Sequence, residues 1–252
     1  MQTKPFISII TVSFNAEEVL ERTILSIINQ SYTNYEYIII DGASTDSTTK
    51  IIEKYKIKIH KYLSEPDEGI YDAMNKALKM AEGDYVWFMN AGDQLYDNQI
   101  FEYIFEKHNT ADIIYSDTLV VNKEGKEVGL LSKLTHNNAP KELHWKMMQK
   151  GMVVCHQSFL VKREITPFYD INYKYSSDVD WVIKCLKKAD NTFLSDKILT
   201  RFLNAGLSKA NLKTAMKERF FILQKHFGIL PNIINHIIML IRYFIRGRKS
   251  KV

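Results

Sequence analysis

Residues 83–93 read Gly-Asp-Tyr-Val-Trp-Phe-Met-Asn-Ala-Gly-Asp, and they restrict the fold more than any other stretch of the chain. The unbroken apolar run from Tyr85 to Met89 needs cover on both faces, as in a strand of a parallel sheet sandwiched between helices. The run opens into Asn90-Ala91-Gly92, a turn-forming tripeptide, and delivers Asp93 at the carboxyl end of the strand. In open α/β sheets that edge is where ligands bind. A carboxylate at that point suggests a divalent cation and, behind it, a phosphorylated substrate. On this segment alone, a solvated Asp closing a turn would look the same.

The surrounding hundred residues alternate strand and helix signals. Phe6–Phe14, Tyr35–Ile40, Ile57–Tyr62 and Asp84–Met89 read as strands. Glu17–Asn29 reads as an amphipathic helix with Val19, Leu20, Ile24, Ile27 and Ile28 inward. Ser47–Lys56, with Thr45 or Asp46 as its cap, and Ile70–Ala81 read as two more helices. Strand–helix–strand units at this spacing predict an α/β fold with a doubly wound, mostly parallel, Rossmann-like sheet and right-handed crossovers.

The later sequence is less regular. Ile113–Val121 reads as a strand, followed by a turn over Asn122–Lys126 and a further strand at Val128–Leu131. Residues 132–155 are polar and irregular and include His136, His144 and Trp145; a loop of that length is often a binding element. Val179–Lys187 reads as a helix. Cys155 and Cys185 are too few for a disulfide framework and lack metal-site spacing, so both are expected as buried thiols in a reducing compartment. The short apolar run after the first residues leads into polar ones, as a first strand does and a leader peptide does not, so a cytoplasmic protein is expected.

The net charge of +5 is concentrated at one end. Arg242, Arg246, Arg248, Lys249 and Lys251 lie within residues 242–252 without an acid, which leaves residues 1–241 formally neutral. A nucleic-acid binder would more often spread its charge along a face of the fold, so no nucleic-acid partner is expected. The segment Leu230–Ile245 is too short and too polar to span a bilayer. Asn232, Asn235, His236, Arg242 and Arg246 keep near-helical spacing and leave Ile, Leu, Met and Phe on the other face. With the basic end, residues 230–252 read as an anchor on an anionic membrane surface; a helix packed on the globule with a frayed basic end is the other reading.

Asp41-Gly42-Ala43-Ser44-Thr45-Asp46 follows a strand and precedes a helix. Asp41 can accept from a base N–H or from ribose hydroxyls, and Gly42 lets the backbone approach closely. Helix capping alone would explain much of this pattern. Two further segments join it, Ser8-Ile9-Ile10-Thr11-Val12-Ser13-Phe14-Asn15-Ala16 and Ser64-Glu65-Pro66-Asp67-Glu68-Gly69-Ile70-Tyr71-Asp72-Ala73-Met74-Asn75-Lys76-Ala77. With these three segments in order, the chain resembles the inverting family 2 of the glycosyltransferases over roughly residues 5–210. It looks closest to the bacterial branch that builds capsule, exopolysaccharide and O-antigen units, colanic acid glycosyltransferases among them.

The resemblance implies a GT-A fold, a nucleotide-sugar donor and Mn²⁺ or Mg²⁺. It implies that Thr11, Ser13 and Asn15 line the nucleotide pocket, that Asp41 meets the nucleobase, usually uracil, and that Asp72 and Asn75 flank the donor. Asp93 would hold the metal, and Asn90 joins the nucleotide-sugar contacts. The family usually has an Asp-x-Asp-Asp-like run where this chain has Asn90-Ala91-Gly92-Asp93, so one carboxylate is left for the cation.

Ser176-Ser177-Asp178-Val179-Asp180-Trp181 begins a helix pattern. Glycosyl transfer with inversion needs one carboxylate to take the acceptor proton, while a metal neutralises the leaving diphosphate. A glycosidase would instead carry two facing carboxylates. The family match puts the base at Asp178, with Ser177 where a Glu usually stands. Asp180 is a further candidate as base or acceptor contact, or caps the helix as Asp178 also could. His156 and Gln157, in Cys155-His156-Gln157-Ser158, resemble a pair near the acceptor face in the bacterial branch; a core histidine is the other reading. Ala205-Gly206-Leu207-Ser208 resembles a loop that closes over the diphosphate, or is a plain turn.

The expected organisation is a domain over 1–210, with 1–95 binding the nucleotide and 96–210 the acceptor, and C-terminal helices over 211–252 forming a basic amphipathic tail. The expected activity is metal-dependent inverting transfer of a sugar, UDP-linked by preference, to a hydroxyl of a glycan. A lipid-linked oligosaccharide at the inner face of a bacterial plasma membrane is the expected acceptor. A nucleotidyltransferase is one alternative, but residues 8–16 lack its Gly-rich loop and cation. A non-catalytic nucleotide-sugar-binding scaffold is the other, argued by the thinned acidic run.

Overall fold

The computed structural model describes residues 5–108, 110–135, 138–204 and 211–237. The first half follows the alternation of the sequence: β1 (Ile7–Ser13), α1 (Leu20–Ile28), β2 (Tyr35–Asp41), α2 (Thr48–Lys54), β3 (Lys61–Ser64), α3 (Ile70–Met80) and β4 (Tyr85–Phe88). Then come β5 (Gln94–Leu95), α4 (Ile100–His108), β6 (Ile113–Tyr115), β7 (Leu119–Val121), β8 (Glu127–Leu130) and α5 (Leu131–Thr135). The rest of the chain supplies β9 (Phe159–Lys162), α6 (Ser177–Lys188), β10 (Thr192–Leu194), β11 (Thr200–Leu203) and α7 (Leu212–Phe227).

Seven strands form the main sheet in the order β10-β6-β9-β4-β1-β2-β3. The pairs β3–β2, β2–β1, β1–β4 and β6–β10 are parallel, and β9 runs antiparallel to both of its neighbours. Every residue of β1 is buried, because helices cover both faces. Ile7, Ile9 and Trp87 face Leu20, Ile24 and Ile27 of α1 and the α4 residues Phe101 and Ile104. Ile10, Val12 and Phe88 face Ala73, Met74 and Ala77 of α3 and Val179, Val182 and Ile183 of α6. Burying each large aliphatic side chain contributes roughly 1.5–3 kcal/mol, so the two layers fix the sheet.

A second, four-stranded sheet, β5-β11-β7-β8, departs from the single sheet that the sequence pattern predicts. It arises because the stretch expected as one strand over Ile113–Val121 breaks in two. Ser116, Asp117 and Thr118 cannot lie unpaired in a core, and Asp117 turns the chain: its Oδ1 accepts the Thr118 amide at 2.8 Å and its Oδ2 the Ser132 hydroxyl at 2.5 Å. The buried Thr118 hydroxyl meets that of Ser158 at 2.6 Å. β6 therefore stays in the main sheet while β7 enters the second.

The third strand also differs from expectation. Pairing begins at His60, whose amide donates to the Tyr37 carbonyl, and the register sets Lys61 against Ile38. Lys61 is held there by Glu36 at 2.8 Å and Glu82 at 2.7 Å, so Ile57 falls in a preceding 3-10 turn, 99% exposed. Within the stretch read as a 132–155 loop, Leu143 and Met148 are buried in the core and Trp145–Lys150 forms a 3-10 turn. Cys155 and Cys185 are buried free thiols, as expected.

Residues 229–237 are helical. Asn232 is 1% exposed and donates to the Phe220 carbonyl at 2.9 Å, and Asn235 donates to the Gln149 carbonyl. The polar positions thus face the globule, and Ile229, Leu230, Ile233, Ile234 and Ile237 face outward. His136, the Ala205–Ser208 segment and the basic cluster at 242–252 lie outside the described residues. No helix among the described residues is long and apolar enough to cross a membrane.

Candidate functional site

The carboxyl ends of β1, β2 and β3 meet at Asp41. Its carboxylate, 0% exposed, accepts the Ser13 hydroxyl at 3.2 Å, the Ser64 hydroxyl at 2.8 Å, and both the amide and the hydroxyl of Ser44. Hydroxyls from three chain segments thus converge on one acid and tie the strand ends together. The two loops are stitched further: Asn15 accepts the Thr45 amide at 2.9 Å, Ser44 accepts the Asn15 amide at 2.8 Å, and Glu17 accepts the Ser47 amide at 2.8 Å. Asn15 (φ 46°) and Ala43 (φ 58°) both sit in the left-handed region. Such backbone costs of order 1–3 kcal/mol per residue and persists only where neighbours over-determine it, which is common at binding sites.

Gly42 is closely covered on this platform and has no room for a side chain. A Cβ there would come within 2.5 Å of Asp67 Oδ2 and 3.4 Å of the Phe14 ring. Phe14 is 64% exposed, an aromatic face beside a bare backbone. The sequence pattern puts Phe14 at the end of a buried strand; one residue beyond β1, the ring is exposed at the carboxyl edge of the sheet. Thr11 does not open onto this platform. It is 0% exposed, donates to the Met89 carbonyl at 2.7 Å and pairs with the Tyr37 hydroxyl at 3.0 Å, inside the sheet.

Next to the platform, β4 ends in the turn 90–93. The Asp93 amide donates to the Asn90 carbonyl, and Gly92 has φ +102°, with Leu203 filling the space where a Cβ would project. Thr23 clasps the turn by accepting the Gly92 amide and donating to the Asp93 carbonyl, and Arg22 donates to the Gly92 carbonyl at 3.1 Å. Asp93 is 3% exposed, and its Oδ1 accepts the Leu203 amide at 2.8 Å. Burial pushes its carboxyl up to about 8, with the Leu203 amide and the Arg22 charge opposing. The Asn90 side-chain oxygen is buried without a partner. A desolvated carboxyl and an orphaned oxygen in one turn are hard oxygen donors suited to a divalent cation. Among the described residues no group of three His, Cys, Asp or Glu could hold one, so further ligands would come from the substrate and water.

Across α3 lies the second carboxyl. Asp178, in the first turn of α6, is partly buried; its Oδ1 accepts the Tyr71 hydroxyl at 3.2 Å and the Val179 amide at 3.0 Å. Burial raises its pKa above the ordinary aspartate value, against the nearby Arg219 charge. Asp180, two residues on, is in a different situation. It is 0% exposed and meets Lys184 at 2.5 Å, His226 at 2.7 Å and Lys225 at 3.4 Å, the last two from α7. Burial would raise its pKa, but the His226 hydrogen bond and the lysines outweigh that and hold it far below. Asp180 is therefore a latch between α6 and α7, with no oxygen turned to a substrate.

The remaining candidates divide in the same way. Asp72 accepts the Glu68 amide at 3.2 Å and pairs with Lys76 at 3.4 Å. Asn75 has its whole amide committed to the backbone of Tyr169, donating at 2.9 Å and accepting at 2.8 Å. His156 is 5% exposed, kept neutral by burial with its pKa lowered to about 4, and its Nε2 meets the Tyr169 hydroxyl at 2.7 Å. Gln157 is 8% exposed, accepts from the Cys155 thiol, and its carbonyl receives the Trp87 indole N–H at 2.7 Å. Tyr71, Tyr169 and Ser64, which sequence reasoning had not singled out, thus support residues that it had.

The model of Glycosyl transferase family 2 matches residues 8–166. The "putative teichuronic acid biosynthesis glycosyltransferase TuaG" of Bacillus subtilis is 29% identical over 224 residues, 86% of this chain and 87% of TuaG. Among solved structures, TarS 1–349 of S. aureus in complex with UDP aligns with a TM-score of 0.64 at 19% identity, covering 86% of this chain and 65% of that one. The mannosyltransferase PcManGT of Pyrobaculum calidifontis, in complex with GDP-Man and Mn²⁺, aligns with a TM-score of 0.67 at 15% identity, covering 93% and 69%. These two likenesses carry the fold, a GT-A arrangement.

Proposed function

The chain belongs to glycosyl transferase family 2 and is a glycosyltransferase, and we propose that it transfers one sugar from a nucleoside diphosphate donor to a glycan hydroxyl with inversion. The observation that carries the metal-dependent form of this reading is the turn 90–93, with its buried Asp93 carboxyl and unpartnered Asn90 oxygen. UDP is the favoured nucleotide, on the likeness to TarS, and cell-surface polysaccharide the favoured product, on the relation to TuaG.

The platform of Asp41, Ser13 and Gly42 receives the nucleoside, with Phe14 stacking on the base. A base contact at Asp41 exchanges with one of its serine hydroxyls. Asp93, with Asn90, would hold Mn²⁺ or Mg²⁺, and the ion when bound would supply charge neutralisation to the departing diphosphate. Asp178 takes the proton of the acceptor hydroxyl as that oxygen bonds to the anomeric carbon. The bond from the anomeric carbon to the diphosphate oxygen breaks, and its electron pair leaves with the nucleoside diphosphate. A base whose pKa burial has raised is a better proton acceptor near neutral pH than an ordinary aspartate.

The exposed Ile229, Leu230, Ile233, Ile234 and Ile237 stripe, followed by the cations of 242–252, supports an anionic membrane surface as partner and a lipid-linked acceptor, with the protein peripheral on the inner face of the membrane. The test is a thermal-shift screen of nucleotide sugars with Mn²⁺ and with EDTA. Stabilisation by a UDP-sugar only with metal is the expected result. A complete absence of shift with every donor in Mn²⁺ would sink the catalytic reading and favour a scaffold.

A further inference from the structure

Tyr71 belongs to the helix that follows the platform, 107 residues before Asp178, yet its hydroxyl reaches that carboxylate at 3.2 Å. A stack of rings sets this distance. The Tyr71 ring lies on Tyr169 with centroids 5.5 Å apart and planes at 23°, and Tyr169 lies on Trp181 at 5.0 Å and 7°. Trp181 stands three residues after Asp178, on the same face of α6. Tyr169 and Trp181 are fixed from outside the stack. Asn75, one turn after Tyr71 on α3, clamps the Tyr169 backbone; His156 holds the Tyr169 hydroxyl; and Trp181 donates to the Pro167 carbonyl at 2.8 Å. The stack therefore ties the donor-side helix α3 to the helix carrying Asp178.

We infer that Tyr71 is the positioning residue for the Asp178 base: its hydroxyl, with the Val179 amide, occupies Oδ1 and leaves Oδ2 to take the acceptor proton. Among the described residues Oδ2 accepts no hydrogen bond. Burial keeps the Tyr71 phenol protonated, its pKa raised well above the usual value, so it serves as a donor throughout the working range. The charged and titratable groups facing this pair are Arg219 and Glu218 of α7, together with the Tyr169 phenol. Arg219 lowers the Asp178 pKa through space, and Tyr71 lowers it by direct hydrogen bonding. The chain thus offsets part of the burial that makes Asp178 basic, while fixing which oxygen meets the acceptor.

This inference rests on the reading of Asp178 as the base, and the two can fail separately. The test is Tyr71→Phe, which keeps the ring and its stacking, measured beside Asp178→Asn and the double variant. In Tyr71→Phe, kcat should fall about 10- to 100-fold with the donor KM unchanged, the range for losing one hydrogen bond to a charged group. The acid limb of the kcat/KM profile should move up by about one pH unit, because the carboxylate loses a donor. The double variant should be no slower than Asp178→Asn alone, since both changes act on one proton transfer. Wild-type turnover by Asp178→Asn would overturn the base reading itself. An inactive Asp178→Asn with an unmoved acid limb in Tyr71→Phe would overturn the role of Tyr71 and leave the base in place. A lower melting temperature for Tyr71→Phe without a moved limb would count against it too, as a purely structural effect.

Discussion

Replacing Asp180 by Asn separates two acids that the sequence presents as near equivalents. Asp180 is wholly buried, and its charge is balanced by Lys184, by Lys225 and by the hydrogen bond with His226. Removing one partner from a buried ionic cluster costs about 3–5 kcal/mol, because the remaining charges keep their desolvation penalty. Asparagine retains an oxygen for His226, which puts the expected loss at the lower end, about 3 kcal/mol. For a chain of this length that is a fall in melting temperature of about 6–12 °C. The pH dependence has a definite sign. The folded-state pKa of Asp180 is depressed, so its contribution is present above the unfolded value of about 3.9 and is lost as pH falls through the lower folded value. Melting curves of wild type and Asp180→Asn should therefore lie apart at pH 7 and draw together below about pH 4. Circular dichroism melts at pH 7, 5 and 3.5, with a transfer assay on the same samples, give both readings. A variant that melts within about 2 °C of wild type but has lost transfer would refute the latch and put Asp180 in the chemistry.

Other perturbations test the donor side and the tail. Gly92→Ala forces a Cβ onto Leu203 at a φ of +102° and should cost about 1–3 kcal/mol, with loss of metal-dependent donor binding by calorimetry; unaltered binding would mean the turn is not the metal site. Phe14→Ala should raise the donor KM about tenfold by removing a base-stacking face, with the melting temperature little changed since the ring is 64% exposed; an unchanged KM would place the base elsewhere. Deleting residues 229–252 should abolish sedimentation with anionic vesicles while the melting temperature falls only slightly; undiminished sedimentation would assign any membrane contact to another surface.

The legible parts of this sequence are those whose structure is decided locally. β1, β2 and β4 are buried on both faces, so each is an apolar run that needs no knowledge of its partners. α1 is equally plain, because Leu20, Ile24 and Ile27 share one stripe. The less legible parts depend on contacts distant in sequence. Ile113–Val121 looks continuous, yet Asp117 splits it through a bond to Ser132. β10, β5 and β11, of two to four residues, exist through their pairing with β6 and β7 or with each other. The helix at 229–237 was readable as amphipathic, but not which face turns inward. Its asparagines find carbonyls at Phe220 and Gln149, and that polar fit sends the isoleucines outward.

The same division runs through the site and has a consequence for how it fails. The donor platform is built from turns that immediately follow β1, β2 and β4; serine and asparagine side chains tie the first two together, and Thr23 of α1 clasps the third. Losing one such bond leaves the others in place. The base is held differently. Asp178 depends on Tyr71 from α3, the Tyr169 backbone is held by Asn75 from the same helix, and α7 supports residues 174 and 175 through Glu218, which accepts both amides at 2.8 and 2.9 Å. Loosening α7 against α6 therefore reaches the base without touching the platform. Destabilising changes in α7 should lower transfer well before they weaken donor binding, and Glu218→Gln, which acts on the base side through the 174 and 175 amides and its charge near Tyr71 and leaves the platform untouched, is a mild way to see the two separate.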